Sequence, residues 1–174
     1  MFSGKLPLWR QKYIAECGLI LVRPVGATSS MKPKAKRTDG QITNLAGEFF
    51  VAAELLKRGL QTSVTFGNAK AIDLLAFNEE TGRTFTVQVK GLRKKNYFLI
   101  SHGKVAPQHV YVFVVLNAPG QAAEYFVVPG AILKSKPERF SKWFLDPKMP
   151  GIHPDILRQE GFQDAWQVFH ESQS

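Results

Sequence analysis

Two segments with the alternating pattern of β-strands each carry polar groups inside an otherwise apolar run. The first, residues 71–77, contains Asp73, and the second, residues 84–90, places Gln88 and Lys90 on the same side of its alternation. Burying a carboxylate without a partner costs several kcal/mol. We therefore expect Asp73 to face a salt-bridge partner, or a metal ion and solvent.

The connection between these segments predicts an antiparallel hairpin. Residues 78–83 read Asn-Glu-Glu-Thr-Gly-Arg and are rich in turn formers. If Phe77 pairs with Thr84, the numbers of facing residues sum to 161, and Asp73 lies opposite Gln88. Facing Cβ atoms are about 5 Å apart, whereas a slip of one residue would turn Asp73 to the other face. In this register a carboxylate, an amide and an ammonium group share one patch of sheet.

The bulk composition predicts one globular domain in a reducing compartment. The chain has 174 residues, of which 44% are hydrophobic and 21% charged. Cys17 is the single cysteine, so no intramolecular disulfide can form, and we expect a cytoplasmic location. No apolar run approaches the roughly 20 residues of a membrane-spanning helix, so no membrane partner is expected.

Most of the net charge of +9 lies near the N-terminus. Residues 1–40 hold eight Lys or Arg against two acids, a surplus of six, which leaves +3 for the rest. We expect residues 1–37 to form a basic N-terminal extension, whose order is left open, and residues 38–174 to form a single domain. A physiological start at Met31 instead of Met1 also stays open.

A basic run follows the second strand directly. Arg93, Lys94 and Lys95 come within five residues of Lys90, and such a concentration of positive charge attracts the phosphates of a nucleic acid. We predict that these three side chains contact nucleic acid. A solvated surface loop is the alternative interpretation.

Residues 38–59 predict a helix that precedes the strands. Its apolar stripe is expected to contain six residues: Ile42, Leu45, Phe49, Ala52, Ala53 and Leu56. Glu48 is one residue from Phe49, about 100° around the axis, so it borders this stripe and can reach the sheet. An ordinary surface glutamate is the alternative.

The remaining elements are expected to complete one α/β layer structure. Trp143 and Trp166 should close the core. The predicted strands are residues 61–66, 97–101, 109–116 and 124–128, and the predicted short helices are residues 136–144 and 155–160.

The order of the predicted elements over residues 38–129 resembles that of the PD-(D/E)XK nuclease superfamily. A helix with Glu48 comes first and a strand follows it, and then come a strand with Asp73 and a strand with Gln88-Val89-Lys90. This resemblance implies an α/β, restriction-endonuclease-like core with a mixed central β-sheet flanked by helices. Asp73 takes the place of the first acid, Gln88 of the second, Lys90 of the lysine and Glu48 of the helical acid. The Gln-x-Lys form is similar to that of methyl-directed restriction endonucleases, and the helix-first order is similar to that of archaeal Holliday junction resolvases.

The resemblance implies a metal-dependent endonuclease that hydrolyses the phosphodiester bonds of DNA. The catalytic residues would be Glu48, Asp73, Gln88 and Lys90. A Mg²⁺ or Mn²⁺ ion would be held by the side chains of Glu48, Asp73 and Gln88 and by the backbone carbonyl of Val89, because Mg²⁺ prefers oxygen ligands. Lys90 would orient the attacking water. The products would carry 5′-phosphate and 3′-hydroxyl ends.

Other functions stay open at this point. A second hypothesis is a catalytically inactive module that keeps the fold and binds nucleic acid or a protein partner, with Asp73 and Lys90 locked in a dry ion pair. An RNA-directed hydrolase is a third hypothesis. Because no separate recognition domain is evident, specificity would come from the N-terminal extension, a partner, or a second subunit in a homodimer.

Overall fold

The computed structural model describes residues 38–65 and 72–171. The predictions for the basic N-terminal extension lie outside the described residues. The ten regular elements of the described part are α1 (Thr38–Lys57), β1 (Gln61–Val64), β2 (Leu74–Asn78), β3 (Arg83–Leu92), β4 (Phe98–Leu99), β5 (Val110–Val115), β6 (Glu124–Pro129), α2 (Gly130–Ser135), β7 (Gly151–Ile152) and α3 (Pro154–Gln159).

Five strands form a mixed central sheet in the order β1-β2-β3-β5-β6. The pairs β1–β2, β2–β3 and β5–β6 are antiparallel, while β3 and β5 are parallel. Strands β4 and β7 form a separate two-stranded sheet. The predicted α/β class with a mixed central β-sheet flanked by helices is therefore confirmed.

The β2–β3 hairpin has the predicted register. Leu74 pairs with Val87 and Phe77 with Thr84, so each pair of residue numbers sums to 161. The turn between the strands contains Gly82 at φ +66°, a left-handed conformation that favours glycine. The alternation of polar and apolar residues along β3 therefore sends Val87 to one face of the sheet and Gln88 to the other.

Apolar side chains cover both faces of the sheet. On one face, Val87 and Val89 pack in a cluster with Leu55 of α1 and with Trp166. On the other face, Phe113 and other residues of β5 and β6 pack against the short helices that follow Gly130. All six residues of β5 are buried, as its continuous apolar run predicts.

The predicted apolar stripe of α1 is wrong. Of its six members only Ala52 is buried, and four are large and exposed: Ile42 (57%), Leu45 (44%), Phe49 (50%) and Leu56 (55%). The side of the helix that meets the sheet instead carries Thr43, Gly47, Val51, Ala52 and Leu55. Selecting positions by hydrophobicity missed this face because Thr43 is polar and Gly47 has no side chain.

Two glycines bring α1 close to β3. A Cβ atom at Gly91 would lie 2.9 Å from the carbonyl oxygen of Thr43, and one at Gly47 would lie 3.0 Å from Cγ1 of Val114 and 3.5 Å from Cα of Gly91. The distances of 2.9 and 3.0 Å are shorter than ordinary van der Waals contacts of a carbon atom, whereas 3.5 Å is an ordinary contact. Glycine at both positions therefore lets the helix backbone rest directly on the strand.

The C-terminal part differs from its prediction in two places. The helix predicted for residues 136–144 is two 3₁₀ helices, residues 137–140 and 142–145, separated by Ser141 at φ +79°. Trp166 is buried as predicted, but Trp143 is 45% exposed and does not close the core. Phe140 and Phe144, both fully buried, fill that position instead.

No helix within residues 38–65 and 72–171 is long and apolar enough to cross a membrane.

We predict that Gly91→Ala lowers the free energy of unfolding by about 1–3 kcal/mol, the usual cost of overpacking. The added methyl group would meet a backbone oxygen that cannot rotate away. Urea denaturation measures the change. Gly103→Ala is the control, since its Cβ would come no closer than 3.8 Å to Oγ of Ser101. Equal stability of Gly91→Ala and wild type would contradict the close contact.

Candidate functional site

Asp73 lies at the point where the pairing of β2 with β3 ends. Its backbone N–H donates to the carbonyl oxygen of Val87 at 3.0 Å, and its Oδ2 accepts a hydrogen bond from the N–H of Val89 at 2.7 Å. The carboxylate thus takes the place that a strand carbonyl would occupy in the ladder. This hydrogen bond fixes the side chain against β3 while the residue stays partly accessible.

Gln88 and Lys90 project from the same face of β3 and line one cleft. This cleft, the polar cleft, has a volume of about 590 Å³. Its other lining residues are Leu99, Ile100, Ser101, Lys104, Tyr111, Lys148, Met149 and Pro150. Both strand residues are half-buried, so the predicted common orientation of the amide and the ammonium group is observed.

Glu48 lies on α1 directly after Gly47, on the side of the helix that meets the sheet. Burial raises the pKa of its carboxyl group, the negative charge of Asp73 raises it further, and the positive charge of Lys90 lowers it. Glu48 is therefore within electrostatic range of both Asp73 and Lys90. The interpretation of Glu48 as an ordinary surface glutamate does not account for this environment.

Asp73 and Lys90 do not form an ion pair with each other within the described part of the chain. Lys90 instead lines the polar cleft and a second cleft beside it. The arrangement expected for an inactive module, a dry ion pair without a cleft, is not the one observed. Neither Asp73 nor Glu48 is among the residues that line these two clefts.

The donor set suits a hard cation. It consists of the carboxylates of Glu48 and Asp73 and the side-chain oxygen of Gln88, and Mg²⁺ prefers such oxygen ligands. Burial is the main cause of the raised pKa of Glu48, and the negative charge of Asp73 raises this pKa further. A cation close to both carboxylates would lower this pKa. In the described ranges no group of three His, Cys, Asp or Glu side chains is placed to hold a metal ion.

The three residues of the basic run have different surroundings, although all are exposed. Nε of Arg93 donates to Oγ1 of Thr43 at 3.0 Å, which ties the run to α1. Nζ of Lys95 is 3.5 Å from a carboxylate oxygen of Glu124. The run is thus anchored at two points beside the candidate site.

Sequence reasoning missed the residues that complete the polar cleft. Lys104 lines it from the end of the 3₁₀ helix 102–104, and Lys148 lines it from an irregular segment distant in sequence. Tyr111, which pairs with Gln88, lines it from β5, and its hydroxyl accepts a hydrogen bond from the N–H of Ala106 at 2.9 Å. No local signal identifies these residues, because the parallel pairing of β3 with β5 is not encoded in a short connection.

His109 is a further buried residue near this face. Its Nδ1 is 2.6 Å from Oγ1 of Thr86. Burial lowers the pKa of His109, while the charge of Asp73 raises it. This pair joins the start of β5 to the middle of β3 and supports the strand that carries Gln88.

Comparison with solved structures finds a similar fold in a bacterial homing endonuclease, I-Ssp6803I. The match has a TM-score of 0.50 and covers 75% of this chain and 91% of that chain, with 15% sequence identity. At this identity the likeness concerns the fold. No protein-family model matches the sequence, and no curated protein matches it.

We predict opposite changes in the pKa of Glu48 when its two charged neighbours are neutralised. Asp73→Asn removes a negative charge and should lower this pKa, whereas Lys90→Gln removes a positive charge and should raise it. NMR titration of the Glu48 carboxyl group in metal-free buffer measures both. The exposed Glu138→Gln is the control, and shifts of the same sign in both variants would contradict the geometry.

Proposed function

We propose that this protein is a metal-dependent endonuclease that hydrolyses phosphodiester bonds of DNA, with a PD-(D/E)XK-type site in its Gln-x-Lys form. The observation that carries the proposal is the joint position of Gln88 and Lys90 in one cleft, on the strand whose Val89 N–H, between them, holds the carboxylate of Asp73. The fold likeness to a homing endonuclease supports it.

Glu48, Asp73, Gln88 and the backbone carbonyl of Val89 would hold the Mg²⁺ or Mn²⁺ ion. When bound, the metal would neutralise charge on the phosphoryl oxygens and make a water molecule more acidic. The hydrogen bond from the N–H of Val89 keeps the Asp73 carboxylate in place before any ligand arrives. Preorganisation of this kind means that little rearrangement is needed at the moment of reaction.

Lys90 would act on the substrate itself. Its ammonium group lies in the cleft, where it would hold the attacking water near the phosphorus atom and stabilise the negative charge that develops on the phosphoryl oxygens. The half-burial of Lys90 strengthens this interaction, because water screens it less than it would at the open surface.

Binding of the DNA backbone would extend from the cleft to the basic run. Lys104 and Lys148 line the cleft, and Arg93, Lys94 and Lys95 follow the strand that bears Lys90. Each lysine or arginine that neutralises a phosphate adds to the salt dependence of binding. DNA binding should therefore weaken steeply as salt is raised.

A catalytically inactive module that binds nucleic acid or a protein partner is the second candidate. The observation that favours it is the amide of Gln88, which removes one formal charge from the ligand set and weakens its attraction for a cation. Metal binding and cleavage distinguish the two candidates.

The first experiment is cleavage of supercoiled plasmid in Mg²⁺ or Mn²⁺. We expect Asp73→Ala and Lys90→Ala each to lower the cleavage rate at least about 100-fold, the scale for loss of a general acid–base or electrostatic group. Circular dichroism checks that both variants fold.

Matched controls for these variants are Glu138→Ala and Lys136→Ala, which remove the same charges from exposed positions outside both clefts. They should cleave like the wild type. Undiminished cleavage by both Asp73→Ala and Lys90→Ala would rule out the proposed site.

We also predict that Gln88→Glu tightens binding of Mg²⁺ by about tenfold or more, equivalent to about 1.4 kcal/mol. The new carboxylate would restore a third negative ligand. Isothermal titration calorimetry measures the dissociation constant. Gln159→Glu adds the same charge at an exposed position on α3 and should leave it unchanged. A weaker or unaltered affinity in Gln88→Glu would argue against Gln88 as a ligand.

A further inference from the structure

Lys90 lies between two clefts separated by an apolar ridge. Leu99 and Met149 line both clefts together with Lys90. These two apolar side chains are 72% and 74% exposed, among the most exposed large hydrophobic residues of the described part. Such exposed apolar side chains, placed directly beside a candidate site, are suited to contact with an apolar ligand surface.

The second cleft, the aromatic cleft, has a volume of about 710 Å³. Tyr97 and Trp143 line it and are 40% and 45% exposed. Asn44 and Asn96 add amide groups, which can donate and accept hydrogen bonds. A volume within the roughly 300–1,000 Å³ of small-ligand sites, with aromatic walls and a few polar groups, suits a planar heterocycle.

The aromatic walls are held by packed elements. The ring of Tyr97 meets the ring of His153 edge-on at 5.2 Å between centroids. Trp143 is in the 3₁₀ helix 142–145, which the fully buried Phe144 anchors in the core. The Tyr97 ring is therefore supported by a neighbouring ring and the Trp143 ring by an anchored backbone, which reduces the entropy lost when a ligand stacks on them.

The charges around the two clefts indicate what the ligand carries besides a ring. Lys104 and Lys148 line the polar cleft, and Nζ of Lys142 lies 5.1 Å from the centroid of the Trp143 ring. Lys90 belongs to both clefts. An aromatic cleft and a basic cleft that share one lysine are complementary to a planar base joined to a phosphodiester.

We infer that the aromatic cleft binds an unstacked nucleobase of a DNA strand whose phosphate lies at Lys90. This inference rests on the proposed function. Leu99 and Met149 would separate this base from the next one, as apolar side chains do when they insert between bases. A base held in a duplex cannot enter a cleft without the cost of unpairing.

The substrate class follows from this geometry. The protein should prefer DNA that is unpaired at the scissile position, either single-stranded or splayed, over a continuous duplex. Stacking of one base on an aromatic side chain contributes roughly 5- to 150-fold in affinity. The preference for unpaired DNA should therefore depend strongly on Trp143.

The experiment measures binding by fluorescence anisotropy in metal-free buffer, so that it does not require cleavage. The probes are a labelled single strand, a splayed fork and a fully paired duplex of the same sequence. We expect the single strand and fork to bind more tightly than the duplex, and Trp143→Ala to weaken their binding at least about fivefold. Trp143→Phe keeps a stacking ring and should retain most of the affinity.

Leu145→Ala is the matched control. Leu145 is 52% exposed on the same 3₁₀ helix but does not line either cleft, so this variant should bind like the wild type. A 2-aminopurine at the unpaired position provides a direct readout. Its fluorescence should be quenched by stacking in the wild type and recover in Trp143→Ala.

The outcomes separate this inference from the proposed function. Equal affinity for all three probes, or unchanged single-strand binding in Trp143→Ala, would overturn the inference, while cleavage that depends on Asp73 and Lys90 would still support the endonuclease. Trp143-dependent binding of the single strand without any cleavage by the wild type would support the aromatic cleft and overturn the catalytic proposal.

Discussion

The direct contact between α1 and β3 determines where the charged groups of the candidate site lie. Gly47 and Gly91 face each other across this contact, with 3.5 Å between Cα of Gly91 and a Cβ placed on Gly47. Glu48 follows the first glycine and Lys90 precedes the second. A larger side chain at either glycine would push the helix away and separate the two charges. The position of the charged residues therefore depends on the packing of the glycines next to them.

Asp73 supplies a hydrogen-bond acceptor where the pairing of β2 with β3 ends, close to the contact between α1 and β3. The pairing of β2 with β3 ends at Leu74 and Val87. Beyond this point the N–H of Val89 in β3 would have no strand residue to which it could donate. The Asp73 carboxylate accepts that hydrogen bond. One side chain thus terminates the ladder and presents negative charge at the strand end, and this charge adds to the effect of burial in raising the pKa of Glu48.

The features that could be predicted from the sequence are those that depend on residues close together in the chain. The turn residues and strict alternation define the β2–β3 register, and with it the common face of Gln88 and Lys90. The sheet-facing side of α1 was not predictable from hydrophobicity, because glycine rather than a large apolar residue makes its closest contact. Tyr111 reaches the cleft through the non-local pairing of β5 with β3. Lys104 and Lys148 reach it from segments that lie outside these strands. No short window of sequence contains these relations.

The position of β5 between two other strands has a consequence for the unfolded chain. Its sequence, Val-Tyr-Val-Phe-Val-Val, is uncharged, rich in β-branched and aromatic residues and buried throughout, the composition of segments that assemble into amyloid-like stacks. In the native state β3 and β6 occupy both of its edges, which leaves no backbone template for another molecule. By pairing with β5, strands β3 and β6 therefore also protect the protein from self-association. Loss of β6 would expose a strand that is prone to fibre formation.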